Sequence, residues 1–161
     1  MATRLGSVLL VAGACLGFAC AGSPPAPPPL RLHADLKQIM AGIIDPSADD
    51  VWGAVGTIIT ADGVQEIRPE TLDEWQHVET AAWVLVEVSN SLMIGNRPKD
   101  TGDWMRFSQG LSDAALLAVR AAEARDPQAL FDAGGEVYVA CSNCHSKYNI
   151  DLTGLSGLTG R

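Results

Sequence analysis

Positive charge is scarce in this chain. Lys and Arg number 11 against 19 Asp and Glu in 161 residues, a formal net charge of −8. The broad basic surface that nucleic acid or anionic lipid demands is therefore not expected, and no nucleic-acid partner is assigned. Long apolar runs are scarce as well. The longest, Leu5 to Ala19, holds fifteen residues, short of the roughly 20 that a membrane-spanning helix needs. Equally absent are a Ser-His-Asp pattern, a glycine-rich phosphate loop and a pair of carboxylates placed by spacing. Hydrolytic and phosphoryl chemistry thus have no support, and the chain does not read as an enzyme. Cysteine is limited to four residues, two of them within the first twenty.

What is present suffices for one globular domain. Apolar residues make up 47% of the chain and the mean hydropathy is +0.13, too apolar for a disordered polymer. The N-terminus has the layout of a secretory signal peptide over residues 1–20: one basic residue, Arg4, then the apolar run, then small residues. Two cleavage patterns overlap there. Leu16-Gly17-Phe18-Ala19-Cys20 resembles a bacterial lipobox, which would leave Cys20 lipidated and the protein anchored to a membrane. Ala19-Cys20-Ala21 instead reads as an A-x-A site, which would release a soluble chain, and Cys15 is a second, weaker lipobox candidate. Residues 21–30 are proline-rich and suit a stiff extended spacer of the kind a tethered protein uses. The expected location is the periplasm.

The mature chain, 31–149, patterns as four helices. Leu32, Leu36, Ile39 and Ile43 recur at spacings of 4, 3 and 4 with Met40 and Ile44 beside them, and Asp45-Pro46 is expected to end that helix. Thr57 to Thr60 and Val64 to Ile67 flank Ala61-Asp62-Gly63, which predicts a small exposed hairpin. Thr71 with Glu74 forms a capping-box pattern before the series Trp75, Val78, Ala82, Leu85, Ser89 and Leu92. A break at Gly95 to Gly102 precedes Trp104, Phe107, Leu111, Ala114, Ala118 and Ala121. Asp126-Pro127 predicts the start of the last helix, carried by Leu130, Gly134, Val137, Cys141 and Cys144. The Gly134-Gly135 pair costs that helix about 1 kcal/mol per glycine relative to alanine, which points to close packing there against a neighbour or a bulky ligand. Residues 150–161, rich in glycine, read as a flexible tail. The expected fold is all-α, an antiparallel four-helix bundle with a small hairpin insertion between the first two helices.

Chemistry concentrates in one motif. Cys141-Ser142-Asn143-Cys144-His145 is C-x-x-C-H, the attachment pattern of c-type haem. Two thiols at that spacing can add to the two vinyl groups on one porphyrin edge, while the adjoining imidazole reaches the iron from one face. On a helix Cys141 and His145 are related as i and i+4. Attachment takes place outside the cytoplasm, where the signal sequence sends the chain. A thioredoxin-like pair would want a βαβ setting that is lacking, and zinc would need a fourth ligand, with only His33 and His77 left as histidine candidates. Trp52, Trp75, Trp83 and Trp104 read as core or as the walls of a porphyrin pocket.

A single C-x-x-C-H near the C-terminus of an exported chain, on the last of four helices, resembles the class II cytochromes c, the cytochrome c-prime family of four-helix bundles. The resemblance covers roughly Leu30 to Asn149; the motif carries it in residues, and the remainder matches by architecture. It implies one covalent haem c held by Cys141 and Cys144, His145 as proximal iron ligand and a first-helix residue on the distal side, here Met40. Low-spin members use a methionine as sixth ligand, whereas c-prime members leave the iron five-coordinate under an apolar side chain. Met40 is accordingly either the distal ligand or a packing residue, and Met93 is a rival of lower rank. Lys147, and Tyr148 after it, are candidates to contact a haem propionate. The expected function is single-electron transfer with redox proteins of the bacterial periplasm; the alternative is a five-coordinate haem protein that binds nitric oxide or carbon monoxide. The family also implies that a homodimer can form.

Overall fold

The computed structural model describes residues 28–148. The signal peptide, Cys20, the spacer up to residue 27 and the tail beyond 148 lie outside the described residues. The described chain is mostly helical with one two-stranded sheet: α1 (Leu36–Ile39), a π-helical stretch (Met40–Ile44), α2 (Asp45–Gly53), β1 (Gly56–Thr60), β2 (Gly63–Ile67), α3 (Leu72–Ser91), α4 (Asp103–Ala124) and α5 (Pro127–Tyr148). Among the described residues no helix is long and apolar enough to cross a membrane.

The first three helical segments form one unbroken run, and here the sequence reading is corrected. The helix does not stop at Asp45-Pro46, because Asp45 keeps right-handed helical dihedrals (φ −55, ψ −54) and donates its N–H five residues back, to the carbonyl of Met40. In a regular α-helix the ring of Pro46 would strike the carbonyl of residue 42 and leave it without a donor. One wide turn relieves that conflict. It also slips the buried face by one position, so that Ile44 is 4% exposed while Ile43, the residue expected in the stripe, is 39% exposed. The buried series therefore reads Ile39, Ile44, Ala48, Val51 and Val55, with a step of five where the π-turn sits. Burial on both sides of the proline outweighs its local preference. The run also starts at Leu36 rather than Leu32, because the Asp35 carboxylate accepts from the N–H of Gln38 at 2.8 Å and the Gln38 side chain answers to the Asp35 N–H at 2.9 Å.

The hairpin forms as expected, with Ile59 opposite Val64 and Thr60 opposite Gly63 across a two-residue loop. Gly63 sits at φ +138, a conformation costly for any residue with a Cβ. The capping box of Thr71 and Glu74 is present at the start of α3. Every residue of the expected α3 stripe is buried, and in the α4 stripe Phe107 alone is half-buried. α4 buries Ala114, Ala115, Ala118, Ala121 and Ala122, small side chains that let both neighbours approach closely. Accordingly the main helix contacts are α3 with α4 and α4 with α5. Only Arg125 and Asp126 join the latter two: Arg125 adopts the left-handed conformation (φ 53), and the Asp126 carboxylate caps α5 by accepting from the N–H groups of Gln128 and Ala129, both at 3.0 Å. Arg97, in the α3–α4 connection, donates to the carbonyls of Ser91 at 2.9 Å and Ala34 at 3.1 Å, tying the entry of the first helix to the exit of α3. Of the four tryptophans, Trp75 and Trp104 are core residues; Trp83 is 41% exposed and lines neither core nor pocket.

Candidate haem-attachment site

The core stripe of α5 places the motif. Leu130, Ala133, Gly134 and Val137 are buried at helical spacing, and continuing the period by a turn and then another brings Cys141 and Cys144 to the same side. There they meet an apolar cavity of about 250 Å³. Cys141, Cys144 and His145 line it from α5, Met40, Ile44 and Trp52 from the first helical run, and Phe107, Ser108 and Leu111 from α4. Met40, 101 positions before Cys141 in the chain, thus borders the same space as the motif. Met93 does not border it.

The cavity walls are fixed by specific bonds. Trp52 donates from Nε1 to the carbonyl of Gly134 at 2.9 Å and stands edge-on to Tyr138 with ring centroids 6.2 Å apart. A Cβ on Gly134 would lie 3.2 Å from Cδ1 of that indole, which accounts for one glycine of the pair. Gly135 faces open space, so the expected close packing applies to Gly134 alone. Buried Ser108 closes its hydroxyl on the Trp104 carbonyl at 2.9 Å and adds no free donor to the cavity.

Both cysteines are free thiols. Burial, then the neighbouring Cys144 and the Asp45 carboxylate, push the Cys141 thiol up to about 11; burial also raises Cys144. Asp45 also lines the cavity, a role that its sequence position before Pro46 does not signal. A measurable consequence concerns reactivity. With its pKa about two units above the usual thiol value, Cys141 in the haem-free chain carries about 100-fold less thiolate than an ordinary cysteine at pH 8, and alkylation there is slower in proportion. Mass spectrometry after timed iodoacetamide treatment, with the urea-unfolded chain as reference, measures it; equal rates in the two states would contradict the burial.

The residues that follow the motif have partners of their own. Lys147 does not line the cavity, and its ammonium pairs with Asp103; the Tyr148 hydroxyl donates to Asp100. The Tyr148 hydroxyl holds the Asp100 carboxyl below the ordinary carboxylate range, and Lys147, then Arg106, do the same for Asp103. His77 faces Asp50 at 3.2 Å, and among the described residues no three His, Cys, Asp or Glu side chains converge as a metal site. The donor set is of the kind that would hold haem c: two thiols and an imidazole on one helix, a thioether bordering the same cavity, and a mostly apolar lining. The cavity falls below the roughly 300–1,000 Å³ of enclosed ligand sites, but a group bonded through two thioethers does not require full enclosure.

No family model matches the chain, and neither the curated proteins nor the solved structures compared with it include a match.

Proposed function

We propose that the protein is an exported mono-haem c-type cytochrome of the class II kind, an antiparallel four-helix bundle that carries single electrons. The observation that carries this reading is the meeting of Met40 with Cys141, Cys144 and His145 around one apolar cavity. When bound, haem c supplies one-electron chemistry at its iron. Cys141 and Cys144 would hold the group through two thioethers, and His145 and Met40 would bind its iron. Ile44, Phe107 and Leu111, which line the same cavity, would keep water from it. Methionine and histidine together raise the potential, which suits exchange with redox proteins of the periplasm. Lipidation at Cys20 would hold the protein at a membrane, and a homodimer is compatible with the family.

The test is an absorption spectrum of the chain matured in a host that attaches haem c, recorded oxidised, reduced, and reduced with carbon monoxide. The expected result is a low-spin spectrum indifferent to carbon monoxide, and a Met40→Ala variant that becomes high-spin and binds the gas. A wild-type spectrum that already shifts with carbon monoxide would favour the five-coordinate, gas-binding alternative. Absence of covalent haem would overturn the reading altogether.

A further inference from the structure

The fully buried face of α5 ends before its motif does. Its last buried residue is Val137, and each residue from Tyr138 to Tyr148 is half-buried or exposed. Eleven residues of helix, about 16 Å at the usual rise, thus follow the last fully buried one and carry all the attachment chemistry, with Ala140, Cys141 and Tyr148 half-buried against the core. A helix end with so little burial ordinarily frays.

This end is tied at its tip. The Tyr148 hydroxyl donates to Oδ2 of Asp100, and its ring stands edge-on to Trp104 and Phe107 with centroids 5.0 and 6.2 Å away. Lys147 pairs with Asp103. Asp100 is itself oriented, since its Oδ1 accepts from the N–H groups of Gly102 at 2.8 Å and Trp104 at 3.1 Å. One carboxylate therefore organises the start of α4 and receives the end of α5. Trp104 is 1% exposed and donates from Nε1 to the Leu92 carbonyl at 2.8 Å, so the platform beneath Tyr148 belongs to the rigid core. His145 lies three residues before Tyr148, on the adjoining turn of the same helix face.

We propose that the Asp100–Tyr148 pair is a positioning latch that holds the turn bearing His145 against the cavity and so sets the orientation of its imidazole toward the iron. This rests on the haem reading above. The Asp103–Lys147 pair supports the latch at the surface. The aromatic contacts alone leave the turn free to slide along the platform, because edge-on ring packing is broad in angle, whereas a hydrogen bond to a carboxylate fixed by two backbone donors is directional.

The decisive variant is Tyr148→Phe, which keeps the ring and its packing and deletes the donor. In the haem-free full chain, amide hydrogen exchange at residues 142–148 should quicken by about fivefold while residues 130–137 are unchanged, the scale expected for one solvent-exposed charged hydrogen bond. In the matured protein the reduction potential should move and the oxidised spectrum should broaden. Asp100→Ala should reproduce both effects. Unchanged exchange would show that no latch exists. Faster exchange with an unaltered potential and spectrum would leave a merely structural tie and overturn the positioning role. Wild-type protein lacking covalent haem would defeat the haem reading and with it the positioning of an iron ligand, a result distinct from unchanged exchange in the variant.

Discussion

A chain carrying Cys141→Ala and Cys144→Ala together should leave a haem c-attaching host with the mass of the bare polypeptide and no haem absorption after denaturation. It should nevertheless keep its helical circular dichroism. The two effects separate because the cysteines line a cavity at the half-buried end of α5 and stand outside the fully buried core, which is assembled from α3, α4, the first helical run and the earlier part of α5. Trimming each thiol removes little apolar area, on the order of 1 kcal/mol per site. The chemical loss is all-or-none, since no other thiol among the described residues can form a thioether. A single substitution leaves one thioether possible and should yield partial, more labile attachment. Retention of covalent haem by the double variant would refute the assignment of the motif. Collapse of the helical signal would mean instead that these side chains are structural.

Much of the scaffold around that motif was legible in sequence, for identifiable reasons. The α3 and α4 stripes obey an uninterrupted 3–4 spacing, so pattern and burial coincide at every position but the half-buried Phe107. Thr71 with Glu74 and Asp126 with Pro127 act within four residues of themselves, which makes them readable without tertiary knowledge. In the first helix two rules conflict. The local preference of Asp45-Pro46 argues for a stop, and only the partners of Ile39, Ile44 and Val51 decide that the chain continues through a π-turn. Trp83 shows the converse: a large aromatic residue on a helix face that the described residues leave 41% exposed. For the candidate site, C-x-x-C-H is compact, and its two thiols and imidazole are readable from spacing alone. Its surroundings come from afar. Trp52 reaches Gly134 across 82 positions and Tyr148 reaches Asp100 across 48, and no single sequence encodes such pairings in a form that periodicity can reveal.

The largest stability effect should come from Trp104→Ala, which should lower the unfolding free energy by about 3–5 kcal/mol, the range for emptying a tryptophan-sized core site. Against the 5–15 kcal/mol typical of a native domain, that is a loss large enough to shift the thermal midpoint by about 10–20 °C. Three consequences coincide at this residue. The indole is 1% exposed within the helix core, its Nε1 serves the Leu92 carbonyl at 2.8 Å, and its ring carries Tyr148 at a centroid distance of 5.0 Å. Trp83→Ala is the matched control, because that side chain is 41% exposed and its removal should cost less than about 1 kcal/mol. Thermal melts of both variants followed by far-ultraviolet circular dichroism make the comparison, and equal shifts would contradict the assignment of Trp104 to the core. The coupling to the motif gives a second readout. With the platform gone, Tyr148 loses its ring contact even where the bundle survives, so attachment of haem by Trp104→Ala should fall below that of a variant equally destabilised elsewhere, such as Leu130→Ala. Equal attachment in the two would show that the motif helix needs stability alone, and unequal attachment that it needs this particular support beneath its last turn.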